Sequence, residues 1–327
     1  MRTQLGLNLT LLLALLLLAY FPMMGEDFYV QLVAKVMIMA IFAMSLDLLV
    51  GYTGLVSLGH AAFFGLAGYV LARFAPQYEA VSLWTSLPLA LGACAVFAAV
   101  TGLLVLRTSG VYFIMVTLAF AQMLFFICHD TPLGGGSDGI YLYAKPMLKL
   151  GETVLLNLED KQVFYWFVLG LMALVYLFLR RVLGSNFGHA LVGIKTNEHR
   201  MRALGYSTFR YKLASYVLSG VLAGLAGYLA AMQFGFVNPE ILSWHTSGGV
   251  LVMVILGGMG TLHGAALGAF VFILLQELLS NEAWFGPLAK HWQLALGLFI
   301  IAVALLLPRG LAGLGGLRDR LREGKTS

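Results

Sequence analysis

Asp47, Ser57 and His60 stand close together in an otherwise apolar stretch, "SLDLLVGYTGLVSLGHAAF" from Ser45 to Phe63. Ser57 and His60 are one helical turn apart, a spacing at which an imidazole could draw a proton from a hydroxyl. Nucleophilic catalysis also needs a third group to orient the histidine, and this stretch supplies none. Two readings therefore stay open for the cluster: hydrogen-bonded packing, or the polar lining of a solute path that includes Asp47 and Thr53. Metal chemistry is not supported, because Cys94 and Cys128 are isolated within apolar runs and read as small buried hydrophobes. The closing "GKTS" lacks the earlier glycine and the strand of a phosphate-binding loop, so the chain carries no nucleotide motif of its own.

The elements that must hold these groups are greasy. The chain has 327 residues, 60% hydrophobic and 11% charged, against about 25% charged in soluble domains. Apolar runs of about 20 residues recur, each long enough to cross a bilayer as a helix. Helices satisfy their own backbone there, and the short alternating segments of a barrel are absent. The expected fold is an all-α polytopic membrane protein with about ten transmembrane helices (eight to ten). Spans are placed at 5–24, 28–50, 55–74, 82–106, 110–128, 162–180, 213–235, 243–258, 261–280 and 290–308. The first is a retained span or an uncleaved signal anchor. The eighth is interrupted by Ser247, Gly248 and Gly249, which suggests a broken or re-entrant segment. A charge deep in a span costs about 2.5–3.5 kcal/mol, so Asp47 is expected near enough to a span end for interfacial water to relieve it.

Basic residues set the orientation. Between Arg180 and Lys212 the charges are Arg180, Arg181, Lys195, Arg200, Arg202, Arg210 and Lys212 against Glu198 alone, which marks a cytoplasmic loop over 181–212. The tail, 309–327, is basic and falls on the same side. The acidic loop 129–161, with Asp130, Asp138, Glu152, Glu159 and Asp160, falls outside. Both termini are then cytoplasmic, and 1–308 forms one transmembrane domain.

The basic loop has internal order. Ser185 or Asn186 can cap a short helix, and Asn197 can cap a second that Gly205 closes. Glu198 then sits in the first turn, where the helix dipole favours an anion. A tether would more naturally be Gly/Ser-rich, so the arrangement reads as a docking surface. Gly260, Gly264 and Gly268 recur every four residues, as do Gly220 and Gly224, a spacing that lets helix backbones approach closely. "GLAGYVLA" (65–72) echoes "GLAGYLAA" (224–231), either as a trace of repetition or because such residues are common here.

"GHALVGIKTNEHRMRALGYSTFRYKLASYVLSGVLAGLAG" resembles the cytoplasmic loop and following span of permeases from branched-chain amino-acid ABC importers. "SLDLLVGYTGLVSLGHAAFFGLAGY" (45–69), "GGGSDGI" (134–140), "VILGGMGTLHGAALGA" (254–269) and "LPRGLAG" (307–313) agree, closer to the LivM-type than the LivH-type partner. The resemblance implies a non-catalytic permease in a bacterial inner membrane. Its partners would be a LivH-like second permease, two cytoplasmic ATPases that use the ATP, a periplasmic solute-binding protein and lipid, with no nucleic acid. Gly188, Asn197, Glu198, Ala203 and Gly205 would form the ATPase-coupling loop, and Gly136 and Asp138 would face the binding protein. The chain departs from the family at His199 to Arg202, where small residues are usual, at Asp47, usually asparagine, and at Leu55, usually polar. The implied cargo is leucine, isoleucine or valine, with urea, short amides or other amino acids as alternatives. An ion-coupled carrier would instead place charges at the bilayer midplane. An intramembrane hydrolase would require Ser57 and His60 to act as a pair.

Overall fold

The computed structural model describes residues 13–23, 25–76, 80–150, 153–307 and 310–313. The start of the first expected span, Arg2, Glu152, Arg309 and the tail from 314, with its "GKTS", lie outside these residues. The helices in chain order are α1 (Leu13–Met23), α2 (Asp27–Asp47), α3 (His60–Phe74), α4 (Leu83–Val105) and α5 (Val111–Asp130). There follow α6 (Lys161–Leu183), α7 (Asn186–Thr196), α8 (Glu198–Ala203), α9 (Thr208–Phe234), α10 (Trp244–Gly257), α11 (Leu262–Ser280), α12 (Glu282–Phe285) and α13 (Trp292–Leu306).

Among the described residues, seven helical segments are long and apolar enough to cross a membrane: α2 with its continuation to Thr53, α4, α5, α6, α9, α11 and Ala289–Leu306. α2 is apolar on every side and forms the centre, packed against α6, α9, α10 and α11. Of its most apolar window 89% is buried, against 17% for the window that ends α13, so α13 is peripheral in the bundle.

Two expected spans take a different form. The third begins at His60 rather than near Leu55, because α2 ends in a π-helical turn (Leu48–Thr53) and the chain then runs extended. α3 has 15 residues and α10 has 14, about 22 Å each at 1.5 Å per residue, short of the roughly 30 Å core. Non-helical backbone inside a bundle survives only where its polar groups are bonded. Here Leu55 N–H reaches Leu49 O (3.0 Å) and Leu58 N–H reaches Thr117 Oγ1 (3.3 Å).

Glycine makes the close crossings. A Cβ on Gly268 would lie 1.9 Å from the Met253 carbonyl oxygen, and one on Gly257 would lie 1.9 Å from that of Gly264, so α10 and α11 touch backbone to backbone. Gly260 lies ahead of α11 rather than on its face, in a turn with φ +81°. The two matching octapeptides meet each other: a Cβ on Gly68 in α3 would lie 3.4 Å from Ala231 Cβ and 3.6 Å from the Gly227 carbonyl oxygen in α9, and one on Gly227 would lie 1.8 Å from the carbonyl oxygen of Phe64, just ahead of the first octapeptide. Small residues on both sides let the two backbones approach closely. Gly220 meets Phe63 and Ala98, and Gly224 meets Cys94, so these glycines also pack within the chain.

The 131–160 connection adds strand pieces to the all-α plan. β1 (Ile140–Tyr141) pairs antiparallel with β4 (Phe236–Val237), and β2 (Leu148–Leu150) pairs with β3 (Thr153–Leu156). An exposed ion pair, Lys161 Nζ to Asp27 Oδ2 at 2.7 Å, ties the start of α6 to the start of α2 at the same end.

Candidate functional site

The basic loop is a compact helical hairpin. Gly188 in α7 is required where the helix folds back on α6, since a Cβ there would lie 2.2 Å from the Leu183 carbonyl oxygen. The Ser185 hydroxyl donates back to Val182 O (2.6 Å), so it does not cap α7. Asn197 does cap α8, its Oδ1 accepting from Arg200 N–H (2.9 Å). Gly205, at φ +88°, closes α8: its N–H donates to Arg202 O (2.9 Å) and Tyr206 N–H to Met201 O (3.1 Å). Ala203, the last residue of α8, is exposed beside it.

Glu198 bolts this hairpin to α9. Its Oε1 accepts from Arg202 Nη2 (2.6 Å) and Thr208 Oγ1 (2.9 Å), and its Oε2 from Lys212 Nζ (2.5 Å). Partial burial pushes the carboxyl upward, but the hydrogen bonds from Lys212, Arg202 and Thr208 outweigh it and hold the pKa down to about 2. Apolar side chains stand out from the same hairpin, with Leu204 67%, Val192 46% and Tyr206 41% exposed. They give the hairpin an exposed apolar face.

A second structure lies under the loop. Lys195, in the last turn of α7, donates through Nζ to the Gly51 carbonyl (2.6 Å) in the π-helical turn. Asp47 is not at a watery interface: it is fully buried, and its Oδ1 accepts the Gly260 N–H at 2.7 Å. Its other oxygen, Oδ2, has no hydrogen-bond partner among the described residues. Thr53 Oγ1 donates to Leu48 O (3.1 Å) and accepts from Ser215 Oγ (2.8 Å) in α9.

Ser57 and His60 are both fully buried but serve different bonds. Ser57 Oγ accepts from Gly59 N–H (3.2 Å). His60 Nε2 lies 3.1 Å from Ser219 Oγ and 3.3 Å from Ser45 Oγ. The Ser45 hydroxyl donates to Phe42 O (2.7 Å) and that of Ser219 to Ser45 O. Both serine protons are thus committed, so Nε2 must be the ring nitrogen that carries hydrogen. That leaves Nδ1 a bare, buried acceptor. The geometry is a polar staple joining α2, α3 and α9, not a nucleophile with its base. Ala61 N–H, one residue on, donates to Ser247 Oγ (2.9 Å), joining the first turns of α3 and α10.

At the opposite end, Gly135, Gly136 and Gly139 have φ of +75°, +68° and +72°, and Asp138 accepts from the Ser137 hydroxyl (3.3 Å). A cavity of about 280 Å³ opens between the end of α3, with Arg73, and the backbone of Gly139 to Tyr143.

Sequence reasoning missed Lys195, which counted only as a topological charge, and the hydroxyl partners Ser45, Ser215, Ser219, Ser247 and Thr117. Ser215 and Ser219 are four apart in α9, so a shared polar stripe was visible in principle.

The family described as branched-chain amino acid transport system / permease component matches residues 28–307. The high-affinity branched-chain amino acid transport system permease protein LivM of Salmonella typhimurium is 30% identical over 96% of this chain and 77% of its own length. LivM of Escherichia coli gives the same identity and coverage. The autoinducer 2 import system permease protein LsrC of Klebsiella pneumoniae is 33% identical over 35% of this chain and 34% of its own. No solved structure matches the chain.

Proposed function

This chain belongs to the branched-chain amino acid transport permease family, and from that premise we propose that it is the membrane-spanning, non-catalytic subunit of an ATP-driven importer. It pairs with a LivH-like permease, and two cytoplasmic ATPases grip the 181–212 loop. ATP binds those subunits, not this chain. A periplasmic solute-binding protein delivers leucine, isoleucine or valine to the end that carries the 129–161 loop. The chain sits in the bacterial inner membrane with both termini cytoplasmic, the side where basic residues accumulate.

The observation that carries this reading is the likeness to LivM permeases along 96% of the chain. The rigid hairpin 186–205, bolted by Glu198 and bearing exposed Leu204 and Tyr206, supports it. A floppy linker could not pass a push from a motor to the helices; a capped, ion-paired one can. Urea, short amides or other amino acids are the alternative cargo.

The test is uptake of labelled leucine by a strain lacking its own branched-chain importer and carrying this chain with its neighbouring transport genes. Uptake that depends on this chain and is lost when 186–205 is replaced by a Gly/Ser spacer is the expected result. Full uptake with the spacer contradicts it.

A further inference from the structure

Three backbones meet beneath the loop: the last turn of α7, the π-helical end of α2, and the turn between α10 and α11. We propose that Lys195 is a positioning residue that carries movement of the loop into this junction, with Asp47 as the receiving group. The inference rests on the reading that ATPases act on the loop.

The geometry is a chain of fixed contacts. The Gly51 carbonyl belongs to the final turn of a helix, where acceptors are left without helical donors, and the Lys195 ammonium takes it at 2.6 Å. A charged donor at a helix C-terminus is also favoured by the dipole. The lysine stem lies over Gly54, where an added Cβ would be 2.9 Å from its Cγ, so side chain and turn move together.

On its other side Gly51 has no slack. A Cβ there would stand 2.2 Å from Asp47 Oδ1 and 2.4 Å from the Gly260 nitrogen. Asp47 in turn holds the Gly260 N–H at 2.7 Å, and Gly260 takes a left-handed φ of +81° just ahead of α11. Any pull on Gly51 therefore either moves Gly260 and α11 or breaks the Asp47 bond. Asp47 Oδ2 remains buried and unbonded within the same cluster. An arrangement that leaves a buried carboxylate oxygen unsatisfied is suited to giving way to a second one. A lysine present only to set topology would need none of these contacts.

The experiment measures solute moved per ATP hydrolysed by the full complex in proteoliposomes, with membrane abundance recorded. Lys195→Met is expected to keep hydrolysis within about twofold while solute per ATP falls about tenfold. Lys195→Arg keeps a charged donor for the same carbonyl and restores at least about half of the wild-type ratio. Asp47→Asn keeps an oxygen for Gly260 and behaves like wild type, whereas Asp47→Ala behaves like Lys195→Met.

A wild-type ratio in Lys195→Met overturns the inference, as does a loss of uptake and hydrolysis in step with abundance, which marks a merely structural role. Lys195→Arg as poor as Lys195→Met overturns it too. Absence of ATP-dependent uptake in the wild-type complex would instead remove the functional reading, and this inference with it.

Discussion

Glu198 concentrates more bonds than any other residue of the loop, and its pH behaviour follows from them. Its pKa is held down to about 2 from the ordinary 4.5, so the stability it contributes is complete above pH 4.5 and is lost as pH falls toward 2. Amide hydrogen exchange across 198–212, corrected for the intrinsic exchange rate at each pH, is therefore expected to rise between those values in the wild type. Glu198→Gln should show the loosened pattern already at neutral pH, at a cost of about 0.5–1 kcal/mol for a partly exposed pair. Corrected exchange that stays flat with pH in the wild type would contradict the clamp. His60 belongs to the same scale. Ser219→Ala strands part of the His60 donor and the Ser45 carbonyl inside the bundle, at about 1–3 kcal/mol. Thermal unfolding in detergent measures that directly, and an unchanged Tm would remove the staple. The cap at Asn197 and the stop at Gly205 were legible because caps are local chemistry. The partners of His60 and Asp47 were not, because Ser219 and Gly260 come from distant parts of the chain.

At the scale of elements, glycines separate into those that touch backbone and those that touch nothing. Gly227→Ala and Gly268→Ala push a methyl to within 1.8 and 1.9 Å of a carbonyl oxygen, so both should lower Tm or membrane abundance strongly. Gly249→Ala meets nothing within 4 Å and should be neutral or slightly stabilising. Equal effects across the three would show that α3, α9, α10 and α11 do not pack as described. The four-residue spacing pointed to Gly220, Gly224, Gly264 and Gly268 as packing glycines. It misplaced Gly260 on the helix face, because periodicity cannot tell a helical glycine from one that starts the helix from a left-handed turn. Broken helices were half legible. The polar interruption near Ser247 marked α10 as short, whereas the extended entry to α3 was hidden by residues as apolar as any span.

For the whole molecule, composition and run length were enough to indicate a bundle of membrane helices, though not which runs are long enough to span, because hydrocarbon leaves a backbone few other choices. What remained hidden is how the two ends communicate. The structure joins the basic loop to the core at two points, Glu198 onto α9 and Lys195 onto α2, and the core junction joins α2 to α11 through Asp47 and Gly260. In the proposed importer the hairpin is the handle and the ATPase subunits are the motor. The most direct measurement is leucine uptake by proteoliposomes holding this chain, its permease partner, the two ATPases and the binding protein, with ATP inside and no ion gradient. Uptake that requires ATP and the ATPases is the predicted result. Uptake by this chain without them, driven by an imposed proton or sodium gradient, would contradict it.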